Sequence, residues 1–148
     1  MKKVSNMLGV VASHVDSALT HTRVTVVNQD RDLRYTSMLN PISGYGIEII
    51  GKTMTEVHGA KLAAEIEAVR KLVLHDGQTR HQSITLNLDE PNVRKHYFDT
   101  TCHAVFDDEN EIIGITCVSV DLTDIMEAKE SLEKANGRLL EVLESALY

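Results

Sequence analysis

The chain has 148 residues, a formal net charge of -7, and 43% hydrophobic and 25% charged residues. That is enough for one domain with its own core, and too acidic for a surface built on nucleic acid or anionic membrane, which needs clustered Lys and Arg. No apolar run approaches the roughly 18 residues of a membrane-spanning helix, and Ser5, Asn6 and Gly9 interrupt any N-terminal signal peptide. Cys102 and Cys117 lack zinc or redox spacing and read as reduced thiols of a cytoplasmic protein. With two Phe, four Tyr and no Trp, the core must be built from Leu, Ile, Val and Met.

In chain order, the first segment places apolar or small residues at Val4, Leu8, Val11, Val15, Ala18 and Thr22. Those steps alternate four and three, a heptad seam on an amphipathic helix over 1–22. Val24–Val27 is predicted as a strand, Asn28–Asp32 as a polar turn and Leu33–Leu39 as a second strand. Asn40, Pro41, Gly44 and Gly46 break the pattern, and short helices are expected through Gly59. Lys61–His75 is a helix with Leu62, Ile66, Val69 and Val73 on one face and Gly77 as its stop. Three strands follow, Arg80–Leu88, Arg94–Phe106 and Glu111–Val120, the last two joined by a tight turn at Asp107–Asn110. The body over 23–123 is thus α+β.

The last segment, 124–148, leaves that final strand with almost no loop. Asp121, Thr123 and Asp124 are all good N-cap residues, and with Asp124 as the cap Glu127 would complete a capping box. Ile125, Ala128, Leu132, Ala135, Leu139, Val142 and Ala146 again step three and four. So narrow a stripe suits a two-helix seam, and the six acids and three bases of this segment make the rest of it solvated. Both flanking stripes point to a homodimer, with Val4, Leu8, Val11, Val15, Ile125, Leu132, Leu139 and Val142 at the interface and Asp121, Thr123 and Asp124 as a rigid signal joint. The alternative is a helix folded back onto its own domain. Three Ala in the seam and Gly137 weaken it, which fits a switch and also fits a helix separated from a stabilising partner. The seam runs nearly to Tyr148, so the chain reads as a piece of a longer protein.

The run "QDRDLRYTSMLNP", then "IIGKT", then "YFDTTCHAVFDDENEIIGITCVSVDLT" resembles a PAS sensor domain of the type found in bacterial sensor histidine kinases. The similarity spans Val24 to Thr123, and Asp121-Leu122-Thr123 resembles the Asp-Ile-Thr ending of many such domains. The resemblance implies a five-stranded antiparallel sheet in the order 2-1-5-4-3, helices on one face, and a small pocket between. Strand alternation then puts Phe98, Thr100, Cys102 and Ala104 on one face of the fourth strand and Gly114, Thr116, Val118 and Val120 on one face of the fifth. Both sets are assigned to the helix-covered side. The expected ligand-binding residues are Met38, Met54, His58, Val69, Phe98, Thr100, Cys102 and Thr116, unless the methionines, Phe98 and Leu62 fill that space themselves.

No cofactor can be named from the sequence. Haem needs an axial ligand; the middle of the long helix, Ala63–Glu67, has no His, which leaves His58. A flavin of the cysteine-adduct type needs a Cys in the short-helix region, and residues 41–60 contain none. His14 and His21 form no metal set, and Cys102 and His103 point to opposite strand faces. No P-loop, nucleophile elbow or H-E-x-x-H motif occurs, so catalysis is not expected. The sequence therefore favours a sensor that passes the state of its pocket through a C-terminal coiled coil to an output domain outside this chain, a histidine kinase by the resemblance. A ligand-free dimerisation scaffold, a haem-binding gas sensor and a small α+β enzyme stand as alternatives.

Overall fold

The computed structural model describes residues 2–41, 46–86 and 95–147. Helix α1 (Lys2–Leu19) leads into strands β1 (Val24–Asp30) and β2 (Tyr35–Leu39). A 3-10 turn (Ile47–Ile49), α2 (Met54–His58) and α3 (Ala60–Asp76) follow, then β3 (Arg80–Leu86), β4 (His96–Phe106), β5 (Ile112–Asp121) and α4 (Thr123–Leu147). The five strands form one antiparallel sheet in the order β2-β1-β5-β4-β3, as the resemblance implied. The expected strand ends at 87–88 and 94 lie outside the described residues.

Strand β1 is longer than the sequence reading allowed. The polar run Asn28-Gln29-Asp30 continues the strand because its members alternate faces. Gln29 is buried with Thr25 and Val27, while Asn28 faces outward, donating to Ser37 and accepting from Thr116. The turn moves to Arg31–Arg34, where Asp30 Oδ1 accepts from the N–H groups of Asp32 and Arg34 and Leu33 adopts φ 59°. Helix α1 stops before residue 22 because the Thr22 N–H and hydroxyl both donate to the Leu19 carbonyl, turning the chain into β1.

Helix α3 ends at Gly77, whose φ of 72° lets its N–H reach the Val73 carbonyl. Its buried positions are Ala63, Ile66, Arg70 and Val73, so the helix is rotated from the predicted face: Leu62 and Val69 sit half-buried at its edges. With Met54 of α2, Ile49 and the inward side chains of the sheet, these residues form the core.

Candidate functional site

Between α2, α3 and the sheet lies a cavity of about 50 Å³. It is lined by apolar side chains, among them Val27, Ile66, Leu86 and Phe98, and by polar ones, among them Arg70, His58, Tyr35, Thr100 and Ser119. A cavity this size takes a few heavy atoms, far below the several hundred Å³ of a haem or flavin cleft.

Register decides which strand residues reach it. Across β4 and β5, Thr100 opposes Ser119 and Cys102 opposes Cys117, and directly opposed residues share a face. Thr100 and Ser119 are hydrogen-bonded at 2.8 Å. The Cys102 and Cys117 sulfurs are 2.9 Å apart, both buried as free thiols. The Cys117 S–H and then Arg70 favour thiolate at Cys102, lowering it to about 7 against the opposing effect of burial; the same hydrogen bond and burial push Cys117 up.

Arg70 occupies the centre of the polar wall at 4% exposure. One Nη donates to Gln29 Oε1 at 2.5 Å and lies 3.4 Å from Met54 Sδ. Tyr35 Oη sits 2.8 Å from His58 Nε2 and 3.2 Å from the same sulfur. His58 is lowered to about 4, first by burial and then by the Arg70 charge.

An unfolded His titrates near 6.5, so between these values the unfolded chain takes up a proton that the fold refuses. His58 therefore contributes stability that is complete above about pH 6.5 and lost as the pH falls towards 4. The loss at pH 5 is expected to be about 1–2 kcal/mol after allowing for partial exposure. Urea unfolding at pH 5 and 7.5, in the wild type and in His58→Asn, isolates this contribution. An unchanged pH difference in the variant would refute it.

Of the expected pocket residues, Met38, His58, Phe98 and Thr100 line the cavity. Met54 and Cys102 are fully buried behind its wall. Val69 lies on the flank of α3 and is not among the lining residues. Thr116 is on the opposite face of the sheet, bonded to Asn28 Oδ1 at 2.6 Å. The predicted parity of the last strand was inverted: if Cys102 faces the helices, pairing requires Cys117, Ser119 and Ile115 to do so, not Thr116, Val118 and Val120. Arg70, Gln29, Tyr35 and Ser119 were missed. Arg70 at i+4 from Ile66 was visible as a core position, but its charge disguised it.

The strand-to-helix joint is fixed by side chains. Thr123 Oγ1 donates to Asp121 Oδ1 at 2.5 Å and accepts from the Tyr97 N–H at 3.1 Å, while the Thr123 N–H also donates to Asp121 Oδ1. Leu122 N–H bonds the Tyr97 carbonyl, and Asp121 N–H bonds that of Arg23. Thr123 is 2% exposed. Asp124 is not the cap: α4 already begins at Thr123, Asp121 holds its first N–H, and Asp124 pairs with Arg23 at 2.9 Å from within the first turn. From Ala128 to Leu147 every side chain is exposed. That includes Leu132, Leu139 and Val142, and Ile125 one turn earlier is exposed too. In α1, Val11 and Val15 are exposed, whereas the side chains of Val4 and Leu8 lie outside the described residues. Among the described residues no helix is long and apolar enough to cross a membrane.

A family model described as the PAS fold matches residues 19–125. Over 147 residues the chain is 27% identical to a protein of Oryza sativa subsp. indica named "Probable histidine kinase 1", covering 99% of this chain and 15% of that one. The chain therefore spans about a seventh of that relative. Among solved structures, VqmA of Vibrio cholerae superposes with a TM-score of 0.61 at 19% identity, over 74% of this chain and 50% of that one. The PAS domain of a Colwellia psychrerythraea protein gives 0.60 at 14%, over 77% and 98%. That of Bordetella pertussis BvgS gives 0.57 at 18%, over 88% and 98%. At these identities the structures establish a shared fold.

Proposed function

Because the chain belongs to the PAS family, we propose that it is a non-catalytic sensory module whose buried cavity takes a small molecule and whose α4 carries the resulting state to an output domain. The observation that carries this reading is the joint. Thr123 is hydrogen-bonded to both β4 and the end of β5, so a shift of those strands under the cavity must move the first turn of α4. No flexible loop intervenes to absorb it.

The exposed stripe of α4 is covered, in this reading, by a second copy of the chain. Its heptad spacing matches a helical partner, and a monomer would leave it in water. Leu140, Leu143 and Leu147 are exposed beside the stripe, widening it near the end of α4 beyond the narrow seam expected, so that α1 of either copy has a surface to pack on. A histidine kinase as the output rests on the rice relative. The cavity's small volume favours a second reading, a dimerisation scaffold with no ligand.

Sedimentation at micromolar concentration tests the assembly. The wild type is expected to be a dimer, and Leu132→Asp with Leu139→Asp a folded monomer with wild-type secondary structure. The two charges in the seam should weaken the dimer at least a hundredfold, about 3 kcal/mol. A wild-type monomer, or a dimer indifferent to both charges, would reject pairing through α4.

A further inference from the structure

Among the described residues, Arg70 is a buried cation with no carboxylate to match it. None of the ion pairs among the described residues includes it, and its Nε–H has no hydrogen-bond partner. A guanidinium removed from water and left uncompensated is among the most costly groups a fold can hold. Its neighbours do not supply the charge. Gln29 is a neutral acceptor already engaged by one Nη. Met54 presents a thioether. Tyr35 is a phenol, and His58 is held as neutral imidazole at neutral pH. Cys117 is kept protonated, and Cys102, the one thiol inclined to ionise, offers Arg70 only a partial counter-charge, because the proton of Cys117 competes for the same sulfur.

The cavity beside this cation has the shape of a binding site for something small with one charged end. Arg70, His58 and Tyr35 line it together with the hydrocarbon of Val27, Phe98 and Leu86. A planar guanidinium fork favours a planar two-oxygen acceptor. A tetrahedral dianion would need further cationic donors, and Arg70 is the one cation among the lining residues at neutral pH. About 50 Å³ admits only a few heavy atoms.

We propose that this cavity binds a small organic monocarboxylate, its carboxylate on the Arg70 guanidinium and its short carbon chain against Phe98, Leu86 and Val27. This rests on the sensory reading above and names the ligand class for it. Binding places a carboxylate beside a cation that has none among the described residues, and the occupied cavity abuts the Thr100–Ser119 bridge between β4 and β5, the two strands that hold Thr123.

The test is a titration of the wild-type chain with sodium acetate, propionate and pyruvate, against acetamide and propionamide as neutral isosteres and sodium chloride at matched ionic strength. The Arg70 Nε–H resonance and the thermal midpoint are followed together. Acids are expected to shift the resonance saturably and, at a hundredfold excess over Kd, to raise the midpoint by about 5–10 °C. Amides and chloride should do neither. Arg70→Gln should abolish the response, and since this variant could fail to fold, the wild-type resonance decides alone. If amides bind as well as acids, the carboxylate assignment falls while the sensory reading stands. If chloride alone reproduces the shift, or if no compound moves the resonance, the proposal is overturned. A wild-type monomer in the sedimentation experiment would instead reject pairing through α4 and leave the carboxylate assignment standing.

Discussion

Gly114→Ala is expected to be the most damaging single-methyl change in the protein, lowering stability by about 3 kcal/mol or more and the thermal midpoint by about 10 °C. Gly114 pairs with Asp30 where β5 meets β1, and a Cβ there would stand 2.3 Å from the Gln29 carbonyl oxygen. The obstacle is backbone, so no side chain can rotate away. Relief requires the two strands to separate, and Gln29, which holds Arg70, would move with them. Gly137→Ala gives the opposite sign. Nothing lies within 4 Å of its would-be Cβ, and alanine is worth about 1 kcal/mol over glycine in a helix interior. Circular-dichroism melts of the two variants check both; equal midpoints would contradict the close strand approach.

That contrast shows what the sequence made legible. Glycine in a strand pattern signals either a bulge or a close approach, and only the pairing register tells which. The α+β class was readable from periodicities of two and about 3.6, whereas the sheet and its strand order came from the resemblance to PAS domains. Turn chemistry then placed the β4–β5 connection at Asp107–Asn110, where Asp107 Oδ1 accepts from the Glu109 and Glu111 N–H groups.

The site was less legible, for two physical reasons. Alternation gives two faces but not which is inward, and for β5 neither face is marked by charge: Thr116, Val118 and Val120 lie on one, Ile115, Cys117 and Ser119 on the other. The register with β4 and β1 separates them. The second reason is that the polar wall is built from residues whose types argue for exposure. Gln29 and Arg70 are hydrogen-bonded across forty-one positions of sequence, and nothing local to either announces the other. The joint fell between these cases. Asp121 and Thr123 were recognisable as residues suited to a helix start, but Tyr97 as the backbone donor to Thr123 was not.

Met54 is the residue at which the core and the polar wall become one structure, and its substitutions are expected to show a non-hydrophobic cost. It is fully buried, and its sulfur faces Gln29 Nε2 at 3.0 Å, Tyr35 Oη at 3.2 Å and Arg70 Nη1 at 3.4 Å. Truncation to alanine should cost about 4–5 kcal/mol, the upper part of the range for a buried methionine. Met54→Leu is the more informative change. Exchange of these two residues in an ordinary core costs under about 1.5 kcal/mol because volume is conserved. Here it replaces an acceptor, weak but shared by three buried donors, with a methyl group. One N–H of Gln29 already reaches the Leu33 carbonyl; the other would face hydrocarbon, as would the Arg70 Nη. Leaving such groups unmatched costs about 1–3 kcal/mol, so the leucine variant should fall about 2–3 kcal/mol below the wild type in urea unfolding. A leucine variant within about 0.5 kcal/mol of the wild type, inside the range of a neutral substitution, would show that the sulfur only fills space. Arg70 would then be held in the fold by Gln29 and its other polar neighbours without the thioether. A full loss would mean that the thioether helps keep the guanidinium buried beside the cavity, so that the wall is prepared for a charged ligand before one arrives.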